Sequence, residues 1–522
     1  MLRSCLDQLR LISKPSAFLA VAMLLGESDS VLAQCDLTPL GFLASGQGQR
    51  FGQSMVLEEQ RAFVGVPGFA GGSGAVVLYE RVGRDWIETQ TIVGSVSGAN
   101  FGTAIAVEGD RLLVGAPDEG STPHGVGAVY LFQLGPAGGV IQRFEGDSAQ
   151  TDSFGAAVSM DGARILIGAP AEHDAGFLAG AAYLFEEQAG LWSQQVKFTG
   201  MPMFGYEAFG ASLSIRGDLA VISQPIELGS GTIFVFQRGP AGWTNTPVQS
   251  MSSPCPGIEF GTPLLFDGHQ LIAASPDGLS GGCINIMHWD GSSFVLDDII
   301  DPPGSGSGFG KSIALHEDRL LVGANGSPAG RAHMFLNRPT GWERTHIFHP
   351  TRTGPAVAFG WTVALSAQEG WISDLYYEPF ATGRVDRFQL ARGVRHCAAL
   401  PNSTGLEASI EATGCASIGD NDLVLTAALL PDQPGLFAYS LDRTQLPFGN
   451  GFRCLAGTVY RLPVTTAAGG LLRTELDVTS PPAGSGQITA STTWHFQAWY
   501  RDPLGGGSGW NASDAIAVTF GQ

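Results

Sequence analysis

The chain has 522 residues, of which 44% are hydrophobic and 15% charged, and its acidic side chains outnumber the basic ones 48 to 28 for a net charge of −20. That length allows two or three domains, and so acidic a chain repels polyphosphate, which argues against nucleic acid as a partner. Beyond the N-terminus no stretch is long and apolar enough for a membrane helix, so no membrane span is expected.

Residues 1–33 read as a secretory signal peptide. Arg3, Arg10 and Lys14 form its basic part, residues 17–25 its apolar core, and Val31-Leu32-Ala33 a cleavage site that leaves Gln34 at the mature N-terminus. Gln34 stands before Cys35 where a lipoprotein signal requires a small residue, so plain export is expected, to the medium or the cell surface.

From residue 51 the pair Phe-Gly recurs seven times, at Phe51, Phe101, Phe154, Phe209, Phe260, Phe309 and Phe359, at intervals of 49 to 55 residues. Sixteen residues after each Phe stands Pro67, Pro117, Pro170, Pro225 or Pro276, then Asn325 and Leu375 where the repeat drifts. Unit two shows the plan: FGTAIAV, LLVGAP, GAVYLF, then a further run. Short runs of Val, Ile, Leu and Phe bounded by Gly, Asp and Pro are strands of a meander. Four strands per period of about 50 residues imply a propeller. The expected fold is all-β: a seven-bladed β-propeller over 34–395. Trp86, Trp192, Trp243 and Trp342 recur at the start of the fourth strand, and such equivalent positions suit packing better than sugar stacking.

The last unit supplies only three strands, at 361–365, 370–375 and 384–390. The N-terminal run 37–43 aligns with a fourth strand and is expected to complete that unit, covering an otherwise open edge.

The paired FG and GAP motifs resemble the FG-GAP repeat of integrin α-subunit head domains and of bacterial secreted proteins. The resemblance implies a propeller that binds or adheres, and in the integrin form it brings calcium loops. The corresponding turns here are Glu58-Glu59-Gln60, Glu108-Gly109-Asp110, Asp161-Gly162, Arg216-Gly217-Asp218 and Asp267-Gly268. They lack the spaced oxygen ligands that calcium needs, so no metal and no cofactor is expected. Arg216-Gly217-Asp218 falls in register with the other turns and reads as a hairpin rather than a recognition tripeptide. The P-loop-like run 306–312 has Ser305 where that motif requires Gly, and its Phe309-Gly310 is already in repeat register.

Beyond residue 390 the period stops. Alternating runs at 406–412, 423–428, 435–439, 459–464, 471–478, 494–500 and 515–520 predict an antiparallel β-sandwich over 396–522. Asn402-Ser403-Thr404-Gly405 and the stretch 494–520 resemble a C-terminal module of exported planctomycete-like bacterial proteins, which implies anchoring, sorting or adhesion.

Six cysteines remain after signal removal, and fifteen pairings are open to them. Cys255 and Cys283 fall in loops on one side of unit five and are expected to bond. Closure by the N-terminal strand would bring Cys35 to Cys397, leaving Cys415 and Cys454 to pair.

In a four-stranded blade the loops joining strands two to three and four to one emerge together, and function concentrates on such loops. They carry Asp118, Glu119 and His124, then Asp152, Glu172, His173 and Asp174, then Glu227. These acids and histidines are the candidate ligand-binding residues, weighed against ordinary solvated charge. No nucleophile elbow and no paired-histidine metal motif is found, so no catalytic residue is assigned. The expected function is binding of an extracellular protein or glycan. The alternatives are a polysaccharide lyase or hydrolase on the same scaffold, and a structural envelope component.

Overall fold

The computed structural model describes residues 39–520 apart from 45–49, 83–84, 121–124, 136–137, 148–151, 201–205, 226–230, 256–258, 277–280, 303–307, 327–329, 339–340, 351–357, 367, 376–382, 391–393, 414–415, 417, 419–420, 422, 480–483 and 491. These residues belong to one compact unit, Cys35–Gln522. The expected signal peptide, Cys35, His124, Glu227, Ser305 and Cys415 lie outside the described residues. Among the described residues the regular structure is almost entirely strand.

Seven antiparallel sheets of four strands follow the Phe-Gly period. The second comprises Ile105–Glu108, Arg111–Ala116, Ala128–Gln133 and Gly139–Phe144. The third comprises Ala157–Asp161, Arg164–Ala169, Ala181–Gln188 and Leu191–Thr199. Burial explains their composition. The second strands, such as RLLVGA and RILIGA, are covered on both faces and are apolar without alternation. The fourth strands are outermost and carry exposed polar positions, as in Leu191–Thr199.

The two glycine landmarks are imposed by backbone contact between consecutive sheets. Gly102 has φ +92°, a conformation that only glycine adopts without strain, and the six equivalent glycines also have positive φ. Gly115, the glycine of the GAP run, meets the next sheet so closely that a Cβ there would lie 2.0 Å from the Gly155 carbonyl oxygen. The preceding phenylalanine is buried in every unit, and Phe101, Phe154, Phe209 and Phe359 bridge in parallel to the glycine before the third strand of the preceding sheet, as in Gly74–Phe101 and Gly127–Phe154.

The same contact joins the seventh sheet to the first. A Cβ on Gly383 would lie 2.4 Å from the Phe51 carbonyl, and Thr362 Oγ1 donates to the Gln53 carbonyl at 2.9 Å. Phe51, Val64, Tyr79 and Trp86 share a buried cluster with Ala364, Trp371 and Val385. The seventh sheet contains Phe359–Leu365, Glu369–Asp374 and Arg384–Gln389, and its fourth strand is Pro39–Leu43. That N-terminal strand pairs antiparallel with Arg384–Gln389, setting Leu43 opposite Val385.

The hairpin turns are tied from sheet to sheet. Gly162 N–H donates to Glu108 and Gly217 N–H to Asp161, both at 2.7 Å. Arg164 donates to the Gly217 carbonyl at 2.6 Å and to Asp218 at 3.1 Å, and Arg216 donates to the Met160 carbonyl at 2.9 Å. All three residues of the Arg-Gly-Asp triplet are thus engaged with the third sheet. Trp86 and Trp243 likewise donate across sheets, to Glu369 at 3.1 Å and Glu186 at 3.0 Å.

The C-terminal residues form a sheet in the order Val394–His396, Trp510–Thr519, Thr493–Arg501, Pro434–Ser440, Tyr460–Arg461, with Thr465–Thr466 also on Pro434–Ser440. A second sheet holds Ser409–Thr413, Val424–Ala428 and Leu472–Glu475. Ile410, Leu425 and Leu472 of the smaller sheet share one core with Phe437, Tyr439, Phe496 and Ile516 of the larger. The sequence reading missed the hairpin of Asp442–Phe448 and Gly451–Ala456.

Cys255 and Cys283 are bonded. The second bond corrects the expected pairings: Cys397 joins Cys454, not Cys35, and Cys454 therefore does not join Cys415. The reason is Val394–His396. This short strand pairs with Trp510–Thr519, carrying Cys397 onto the C-terminal sheet. Cys454 is held at that sheet by its N–H bond to Gln497 Oε1, at 3.0 Å.

Candidate functional site

Two loop groups gather most of the described candidate acids, and both are built on one plan. In the second sheet Glu119 follows the strand Arg111–Ala116. It accepts from the Tyr130 hydroxyl at 2.7 Å and from Arg143 Nη2 at 2.8 Å. Tyr130 lies on the third strand and Arg143 on the fourth. Burial, then the bond to Glu119, raises the Tyr130 hydroxyl above its usual range. Glu119 is buried, so its carboxylate is held within its own sheet. Asp118 beside it accepts from the Asn100 side-chain amide.

The third sheet repeats the plan with changes. Glu172, Tyr183 and Lys197 take the places of Glu119, Tyr130 and Arg143. Here the Tyr183 hydroxyl donates to Asp147 at 2.6 Å instead of to the glutamate. Lys197 Nζ reaches Asp174 at 2.6 Å, Asp147 at 3.0 Å and Glu172 at 3.2 Å. Glu172 Oε1 also accepts the Asp174 N–H at 2.8 Å, whereas Glu172 Oε2 is buried without a hydrogen-bond partner among the described residues.

Electrostatics divide these carboxyls. Burial raises Glu172 above the usual carboxyl range. The hydrogen bond from Lys197 lowers Asp174. Asp147 is pushed up by burial, but the bonds from Tyr183 and Lys197 outweigh this and leave it lowered. Burial opposes the charge on Lys197, and its bonds to Asp174 and Asp147 more than offset that, so it is raised and stays an ammonium.

His173 sits between this cluster and an aromatic pair. Its ring meets Phe177 edge to face at 5.3 Å, and Phe177 meets Tyr206 at 5.1 Å with the planes 85° apart. Tyr206 is tied to this loop by its N–H bond to the Phe177 carbonyl at 3.1 Å. Phe177 is 58% and Tyr206 49% exposed, which is unusual for such large apolar rings.

The structure therefore brings Glu172, His173 and Asp174 together and sets Asp118 and Glu119 in a separate group. Asp152 is fully buried, its carbonyl accepting from Ala171 N–H at 3.2 Å. Sequence reasoning missed Asp147, Lys197, Phe177 and Tyr206. The spacing Glu–Tyr–cation, at 11 and 24 or 25 residues, repeats in both sheets and could have marked the cations.

The FG-GAP repeat family model matches residues 86–132 and 145–185, so the chain carries FG-GAP repeats. No curated protein matches the chain significantly.

Proposed function

We propose that this is an exported binding or adhesion protein. In this reading the Phe-Gly units over 34–395 form a seven-bladed β-propeller, residues 396–522 form a β-sandwich, and the ligand is a protein or glycan held by the inter-strand loops. Seven four-stranded sheets, with the Phe-Gly contact running on from the seventh to the first, support the propeller. The core shared by two C-terminal sheets supports the sandwich. Two disulfides fit an oxidising compartment, and among the described residues no helix is long and apolar enough to cross a membrane. The observation that carries the ligand reading is the third-sheet loop group, where charged side chains adjoin exposed aromatic rings on a rigid scaffold.

Capture from envelope extract together with a glycan array tests this. The parent protein should retain a ligand that an Asp174→Ala/Phe177→Ala variant of equal thermal stability does not. Equal retention by both would overturn the assignment to these loops. A second reading, polysaccharide cleavage, draws on the raised Glu172 carboxyl beside His173, since such groups serve acid–base chemistry. Glycan turnover lost in Glu172→Gln and His173→Ala would favour it.

A further inference from the structure

We infer that the third-sheet loop group takes an uncharged saccharide. This rests on the ligand-loop reading above and narrows it to one chemical class. A site for a cationic partner would hold carboxylates in want of a counter-charge. Here Lys197 ties Asp147, Glu172 and Asp174 together at 3.0, 3.2 and 2.6 Å and so offsets part of their charge. A site for an anion would hold unpaired cations, and Lys197 is engaged three times. What remains is hydrogen-bonding capacity beside apolar ring surface.

The carboxylates still have capacity. An ionised carboxylate offers about four lone-pair sites. Asp174 is 63% and Asp147 46% exposed at the side chain, so each retains acceptor positions facing solvent. The Tyr206 ring and its hydroxyl combine an apolar body with a polar handle. Phe177 and Tyr206 stand nearly perpendicular, so they form two walls of a corner. A sugar ring presents a weakly polarised C–H face to one such wall and directs its hydroxyls sideways, as donors to carboxylates and acceptors from an ammonium. Glu172 Oε2 and His173 Nδ1 of the same loop are both buried and without hydrogen-bond partners among the described residues. Exposed aromatics flanking hydrogen-bonding groups match a neutral polyhydroxyl ligand, and the surplus of carboxyls over the single ammonium disfavours a uronic acid.

The test is native affinity electrophoresis of the full chain in gels containing a soluble neutral β-glucan, a galactomannan or dextran. Alginate serves as the anionic control, and polylysine binding is measured in solution. At least one neutral polysaccharide should retard the protein, and added salt should not abolish the effect. Phe177→Ala and Tyr206→Ala should each weaken it about tenfold or more, equivalent to about 1.4 kcal/mol. Leu191→Ala, an exposed residue on the outer strand of the same sheet, should leave it unchanged. Migration unaffected by every neutral polysaccharide overturns the inference. So does salt-sensitive binding of alginate or polylysine alone. Should Phe177→Ala abolish capture of a protein ligand while no neutral polysaccharide binds, the loop reading stands and the saccharide inference fails. Should Phe177→Ala change neither, both fail. Equal melting temperatures of parent and variants exclude misfolding as the cause.

Discussion

Glu369 bonds across the contact between the last sheet and the first, and replacing it tests whether that contact holds the repeats together. The residue is 1% exposed. It accepts from Trp371 Nε1 at 2.9 Å, from Trp86 Nε1 at 3.1 Å and from Arg387 twice at 3.1 Å, and Arg81 approaches to 3.5 Å. Trp86 and Arg81 belong to the first sheet, while Trp371 and Arg387 belong to the seventh. In Glu369→Ala two nearly buried guanidiniums lose a counter-charge and two indole N–H groups lose an acceptor. Removing one partner of a buried ion pair costs about 3–5 kcal/mol, and each neutral hydrogen bond adds about 1 kcal/mol. About 5 kcal/mol in total is a reasonable working value. With an unfolding entropy of about 2.1 cal/mol/K per residue over about 350 residues, the melting temperature should fall by about 7 °C. Glu369→Gln keeps the shape and one acceptor oxygen, and should show roughly half that effect. Differential scanning calorimetry measures both, and intrinsic fluorescence should report a changed setting for Trp86 and Trp371. A Glu369→Ala protein melting within about 1 °C of the parent, with unchanged fluorescence, would refute the reasoning.

Deleting residues 39–43 should expose the edge of Arg384–Gln389 and lower the main melting transition, whereas parent-like melting would show that the strand is a dispensable tail. Gly115→Ala should be destabilising by about 3 kcal/mol or more, because its Cβ would meet the Gly155 carbonyl oxygen; Gly139→Ala, which meets open space, is the control in urea denaturation. Non-reducing peptide mapping should recover Cys397 linked to Cys454, and Cys397→Ser should cost about 2–4 kcal/mol; any other partner for Cys397 contradicts the fold. His333 is pushed down to about 3 from 6.5, chiefly by burial and then by Arg344 and Arg331. It therefore stays neutral in the fold while the unfolded chain takes up a proton. Its contribution is complete above pH 6.5 and is lost as the pH falls towards about 3. His333→Phe should flatten that acid limb of stability against pH, and an unchanged slope would assign the loss to other groups.

Much of the repeat architecture was legible because its landmarks answer to backbone geometry. Phe-Gly and Gly-Ala-Pro recur where consecutive sheets touch main chain to main chain, and a side chain at either glycine meets an obstacle the sequence cannot relieve. The N-terminal strand was legible by strand count, since the last unit had three. The cysteine partners were not. Val394–His396 is three residues long, too short to stand out as a run, yet its pairing decides on which sheet Cys397 lies. The hairpin of Asp442–Phe448 and Gly451–Ala456 was missed because its exposed polar positions blur the apolar pattern.

The candidate acids were legible as charges but not as partners, and the comparison between sheets supplies what was missing. In the second sheet Tyr130 and Arg143 both serve Glu119, and nothing of that carboxylate is left over. The third sheet has the same three positions but spends them differently. Its tyrosine turns to Asp147, a lysine with one nitrogen replaces the forked arginine, and Glu172 keeps one buried oxygen without a hydrogen-bond partner among the described residues. Loops there also carry Phe177 and Tyr206 into solvent. A repeat protein offers its own control in this way, because the neighbouring unit shows how the same residues are satisfied when only the fold is at stake. The departure from that solution, rather than the count of acids, is what singles out the third sheet as the place to look for a ligand.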